Sequence, residues 1–171
     1  VVSAGSDQSI CKGQSITLTA TGASTYTWNN GSTTPSITVS PISTTSYIVT
    51  GTISSISKKD TVVVTVKPLP NVVFTKNVSS AQVQLTAPSG NTTYNWSFGD
   101  ATAISTIQNP THTYANNGKF YITLNSTLNG CSAQKIDSVN IIATALQNNI
   151  SFVDKISVYP NPTDNYIRIE L

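Results

Sequence analysis

Tyr94-Asn95-Trp96-Ser97-Phe98-Gly99-Asp100 sets three aromatic side chains at alternate positions, with polar residues between them, and closes on a glycine and an acid. Successive side chains of a strand point to opposite faces, so Tyr94, Trp96 and Phe98 share one face while Asn95 and Ser97 take the other. This is a half-buried strand with a turn behind it, and Trp96 is its core anchor. The same alternation continues outward. Ile16, Leu18 and Ala20 alternate with Ser15, Thr17 and Thr19, and Val62, Val64 and Val66 alternate with Val63 and Thr65. β-Branched residues dominate these runs, as suits side chains packed on a pleated surface. No stretch carries a convincing helical period. Asn30-Gly31, Asn117-Gly118 and Asn129-Gly130 supply turn chemistry, because both residue types tolerate the positive φ that tight hairpins require. Strands recurring every 8 to 12 residues or so between such turns predict an all-β fold of packed antiparallel sheets.

A weak internal repeat divides the chain. Tyr26-Thr27-Trp28 recurs as Tyr94-Asn95-Trp96, Tyr47-Ile48-Val49 as Phe120-Tyr121-Ile122, and Asp60-Thr61-Val62 as Asp137-Ser138-Val139. Between the copies lies Lys67-Pro68-Leu69-Pro70, whose prolines cannot continue a central strand and favour a stiff, extended connector. The expected organisation is one β-sandwich over residues 1–67, a second over 68–142, a linker over 143–155 and a final segment over 156–171. In that last segment Ile156–Tyr159 and Tyr166–Leu171 read as two strands around a Pro-Asn-Pro turn, a hairpin that ends at Leu171.

Three resemblances add to this frame. Tyr94–Asp100, then Asn109-Pro110-Thr111-His112-Thr113-Tyr114, then Gly118–Leu124 resemble the polycystic-kidney-disease (PKD) family of immunoglobulin-like domains over most of residues 71–142. Cys11–Ala20, Tyr26-Thr27-Trp28 and Ser40–Tyr47 are similar to the immunoglobulin-like repeats of large adhesins and gliding proteins of Bacteroidetes. Ser157–Thr163 followed by Tyr166-Ile167-Arg168-Ile169 resembles the opening of the C-terminal sorting domain of the type IX secretion system, with Tyr159, Pro160, Asn161 and Pro162 as its motif. Together they imply two tandem immunoglobulin-like β-sandwich domains followed by a truncated sorting hairpin. They also imply an extracellular or outer-surface location, with the type IX secretion machinery as a partner.

Composition narrows the function classes. Charged residues are 9% of the chain and the formal charge is +2, whereas Ser and Thr together make up about 29%. Beyond Lys58-Lys59 the positive charge is unclustered, so the footprint expected of a nucleic-acid binder is missing. No apolar run approaches the ~18 residues that would span a bilayer, so membrane insertion is not expected.

Residues that could carry chemistry are few. His112 is the sole histidine and sits beside a turn, where a structural role outweighs a catalytic one that would need an acid or nucleophile in reach. Asp100 after Gly99 reads as a turn residue bonding its own backbone. Ser97 and Ala101 stand where the PKD family often has Asp and Gly, which argues against an acidic calcium cluster. The seven acidic residues are scattered, and the cysteines lack the short paired spacing of zinc ligands. No catalytic residue, metal site or cofactor is therefore expected.

Cys11 and Cys131 fall one to each module. A bridge between them would have to bring a strand of one module against a hairpin of the other, within a Cα separation of about 7 Å. Free thiols are the favoured expectation, with pairing to another chain as an alternative. Tyr26, Trp28, Tyr94 and Trp96 are assigned to the cores rather than to a sugar-stacking platform. Tyr121 is left outside by Phe120, Ile122 and Leu124 and is the candidate exposed contact. Thr61 and Ser138 lie in acidic-hydroxyl-aliphatic triplets that resemble an O-glycosylation signal of Bacteroidetes.

These features point to a noncatalytic spacer or adhesive stalk segment. The competing functions are accessory modules of a secreted enzyme with an upstream catalytic domain, and a subunit of an extracellular filament. Another protein chain, paired through the C-terminal strands, or a surface glycan would be the partner.

Overall fold

The computed structural model describes residues 1–142 as an all-β molecule with no helix among them. The linker over 143–155, the hairpin over 156–171 and the motif Tyr159–Pro162 lie outside the described residues. The first six strands are β1 (Gln8–Cys11), β2 (Ile16–Thr19), β3 (Thr25–Trp28), β4 (Ser36–Val39), β5 (Thr45–Ile53) and β6 (Ile56–Lys67). They form a sheet ordered β1-β6-β5-β3 and a second sheet β2-β4. All pair antiparallel except β1, which runs parallel to β6 so that Cys11 ends opposite Lys67.

The next six are β7 (Thr75–Ser79), β8 (Gln82–Thr86), β9 (Thr93–Ser97), β10 (Thr111–Thr113), β11 (Gly118–Leu128) and β12 (Cys131–Ile141). Their sheets are β12-β11-β9 and β10-β8-β7. Both halves are immunoglobulin-like β-sandwiches.

Each sandwich closes on its own core. Leu18, Trp28, Ile37, Val49, Val62 and Val64 anchor the first, and Val83, Leu85, Trp96, Phe98, Ile122 and Leu124 the second. Trp28 and Trp96 are 2% and 0% exposed, and both indoles solve burial in the same way. Trp28 Nε1 donates to the Thr34 carbonyl and Trp96 Nε1 to the Ile107 carbonyl, each at 3.0 Å. Tyr26 and Tyr94 are half-buried against the cores, and their hydroxyls donate to the Ala23 and Pro88 carbonyls. The buried amphipathic rings thus have their polar ends satisfied.

The internal repeat reappears as strand register. Val49 pairs with Asp60 as Ile122 pairs with Asp137, and Tyr47 with Val62 as Phe120 with Val139. The third strand is offset by two residues, since Trp28 faces Val49 whereas Trp96 faces Leu124. A shift of two preserves facing, so both tryptophans still reach their cores.

Turn chemistry is more varied than the Asn-Gly dipeptides predict. Asn129-Gly130, with φ of 51° and 85°, closes the β11–β12 hairpin. Ser54-Ser55 closes β5–β6 with φ of 46° and 72°, and no glycine marks it. Asn30-Gly31 instead lies in the longer β3–β4 loop, and Gly118 begins β11.

Candidate functional site: the disulfide joint and the Asp100–His112 clamp

Cys11 and Cys131 are bonded to each other. Their Cα atoms are 5.7 Å apart, and the bond closes a sequence separation of 120 residues. This corrects the expectation of free thiols: the described residues contain no free cysteine. The physical reason lies in where the two strands end. β1 runs parallel to β6, so Cys11 arrives beside Lys67, the last residue before the proline connector, and the Lys12 amide donates to the Lys67 carbonyl at 2.9 Å. The Asn129-Gly130 turn presents Cys131 from the second module, where it is 1% exposed. One module's strand end and the other's hairpin therefore meet beside the connector. A pairing hidden by linear distance follows from β1 joining its sheet in parallel, which alternation alone does not reveal.

The connector is held on its far side as well. Pro70 is buried. The Asn71 amide donates to Asn91 Oδ1, Asn91 Nδ2 donates to the Asn71 carbonyl at 2.7 Å, and the Val73 amide donates to Asn71 Oδ1. The two modules are thus linked covalently at two places, through residues 68–71 and through the Cys11–Cys131 bridge.

The second site is a clamp in the second module. His112 Nε2 lies 2.7 Å from Asp100 Oδ2, with the two side chains 13% and 12% exposed. Asp100 Oδ1 accepts from the Thr102 amide and from the Thr102 hydroxyl at 2.6 Å, the turn bonding read from its sequence. His112 stacks on Phe98 with ring centroids 3.9 Å apart, and Tyr114 meets His112 edge-on while donating its hydroxyl to the Phe98 carbonyl. Burial alone would raise the Asp100 carboxyl, but the bonds from Thr102 and His112 outweigh it and hold it below the usual carboxylate range. Burial, helped by the Asp100 charge, pushes Tyr114 up to about 12. Sequence reasoning placed His112 and Asp100 in separate turns and missed their pairing.

The arrangement is unlike a nucleophile relay. In such a relay the hydroxyl touches the imidazole and the carboxylate orients it from behind. Here the Thr102 hydroxyl bonds the carboxylate. Chemically, the clamp ties the loop after β9 to β10. Among the described residues no group of three or more His, Cys, Asp or Glu could hold a metal ion.

The remaining candidate residues take no part in these bonds. Tyr121 is 56% exposed, with the Lys119 ammonium 5.4 Å from its ring centroid. Thr61 is exposed and pairs with Ile48, and half-buried Ser138 pairs with Tyr121, so the two hydroxyl residues occupy equivalent rungs of the modules. The acids beside them have structural tasks. Asp60 Oδ2 accepts from the Ala4 amide at 2.7 Å, and Lys76 Nζ donates to Asp137 Oδ2 at 2.6 Å. The bond from Lys76, followed by that from the Ser138 amide, lowers the Asp137 carboxyl from its ordinary value.

Residues 64–141, that is 78 of the 171, match the PKD domain family. The second module is similar to that family over this span. The match begins inside β6, yet Val64 packs in the first core, so the family's span and the physical sandwich overlap by a few residues. Among solved structures, the PKD1 domain of the Vibrio cholerae metalloprotease PrtV is 25% identical, with a TM-score of 0.37, covering 40% of this chain and 91% of that one. The PKD1 domain of Vibrio anguillarum Epp is 18% identical with a TM-score of 0.34, covering 42% and 96%. A chimeric titin Z1Z2-Z1Z2 tandem is 14% identical with a TM-score of 0.32, covering 81% and 96%. No curated protein matches the chain.

Proposed function

We propose that residues 1–142 are a noncatalytic spacer segment of a secreted or cell-surface protein, built from two modules divided near Lys67-Pro68. The observation that carries this reading is the Cys11–Cys131 bridge between the modules. A single flexible connector lets neighbouring domains reorient, whereas a second covalent link beside it removes most of that freedom. A stiff joint is useful where distance must be held. Disulfides form and persist in oxidising compartments, which supports an extracellular address. PKD domains commonly serve as noncatalytic extracellular modules of secreted proteins, which supports the same role. Sparse charge limits nonspecific ionic contact along such a spacer. Export through the type IX machinery, with Tyr159–Pro162 as the sorting motif, is part of this proposal and rests on the sequence of residues 156–171.

The test places the segment between an outer-surface anchor and a reporter enzyme. A spacer leaves reporter turnover unchanged, and its deletion reduces capture of the reporter by antibody-coated beads that cannot approach the surface. Unchanged capture after deletion, or turnover of substrate by the segment without the reporter, overturns the reading.

A further inference from the structure

The bridge changes the route that tension takes through the chain. In an unbridged chain pulled at Val1 and Ile142, every residue between those points carries the load. Cys11 and Cys131 are joined covalently with Cα atoms 5.7 Å apart, so the span of 120 residues between them is a closed loop with almost no slack at its neck. Tension entering along residues 1–11 passes through the bridge and continues along residues 131–142. Unfolding inside the loop then adds nothing to the distance between the ends.

The two segments outside the loop are suited to this route. The first is fastened beside β6 in one continuous register, each residue opposite the one 56 places on. The Ala4 amide donates to the Asp60 carboxylate, the Val63 amide donates to Asp7, and Gln8–Cys11 pair with Val64–Lys67. The second is β12, whose 11 residues are all paired with β11. Strands already rise ~3.3 Å per residue against a limit of about 3.6 Å, so neither segment has much length to give. A strand pulled at both of its own ends also balances the load within itself. Without the bridge, the pull on β1 would be opposed at the Lys67 end of β6 and would shear the parallel pair that Ile10 anchors to the first core. In the second module it would enter near β7 and leave at β12, strands of opposite sheets, and draw on the core between them.

We infer that the Cys11–Cys131 bridge is a tension shunt, which routes a pulling force through β1, one disulfide and β12 and keeps both sandwich cores and the proline connector out of the load path. The property belongs to this bridge and not to the sandwich, because a tandem of the same modules without it loads every residue. Its use rests on the spacer reading, in that a spacer under pull must keep its length. Extension of the isolated chain and capture of a reporter are separate readouts, so either reading can fail while the other stands.

A force clamp on the full chain tests the shunt, with handles attached at the two termini by chemistry that spares cysteine. The Cys11→Ser, Cys131→Ser chain should lengthen in two steps, one per module, together about 400 Å for 120 residues at ~3.3–3.6 Å each. At the same tension the oxidised parent should show neither step. A dithiol reductant is then added to the parent under load, where Cys11 is half-buried and within its reach. A reductant thiolate attacks one bridge sulfur, the other leaves as thiolate, and the second reductant thiol closes on the mixed disulfide, freeing both cysteines. Because the cores are intact when the bond opens, the two steps should follow one at a time after a delay set by the unfolding rate. The inference is overturned if the oxidised parent lengthens in module-sized steps, or if the double variant lengthens no more than the parent. It is equally overturned if cleavage gives the whole ~400 Å at once, as cores already pulled apart inside the loop would.

Discussion

Trp28 and Trp96 show how one residue type fixes a module. Each fills its core and bonds a loop carbonyl six and eleven residues further along the chain, so its removal leaves both a cavity and an unpaired acceptor. Trp28→Ala and Trp96→Ala should each destabilise their own module by roughly 3 to 5 kcal/mol, read as separate shifts in chemical denaturation. Asp100 adds a pH dependence. Its carboxyl is lower in the folded chain than in the unfolded one, so its contribution is complete above the ordinary carboxylate value near pH ~4 and fades as pH falls through the folded value. Asp100→Asn should therefore lower stability by about 1.5 to 3 kcal/mol at neutral pH, with the gap to the parent closing on acidification. Parallel denaturation curves at pH 7 and at acid pH check the sign, and a gap that widens in acid would refute it.

At the scale of strands, parity was legible and partnership was not. The alternation around Trp96 and Val62 located strands and core faces, because a pleat leaves a period of two wherever one face is buried. It could not reveal that β1 joins its sheet in parallel, since parallel and antiparallel pairing leave the same alternation. The disulfide was hidden for that reason, and the Asp100–His112 clamp because its partners are twelve residues apart, one in the loop after β9 and the other in β10. The Ser54-Ser55 turn was missed because serine seldom adopts positive φ. Gly99 is the clearest element-level constraint, with φ of 79° and no room for a Cβ against the Tyr121 backbone. Gly99→Ala should cost about 1 to 3 kcal/mol through combined backbone strain and steric overlap, lowering the melting midpoint of the second module while leaving the first module unchanged.

The whole molecule is defined by its joint. Two sandwiches with separate cores are connected through the proline segment and through Cys11–Cys131. Chain denatured without reductant should expose no reactive thiol, and two thiols should appear after reduction, as counted by alkylation and mass spectrometry. Reduction should leave each core folded, because neither cluster depends on the other. The bridge should matter instead for orientation. Spectroscopic probes carried as non-cysteine labels at Ser55, on the β5–β6 turn, and at Asn116, before β11, report that orientation as a distance distribution. The oxidised chain should give one narrow distribution that broadens on reduction while the circular dichroism of both modules persists; equal widths in the two states would show that the bridge does not set the joint.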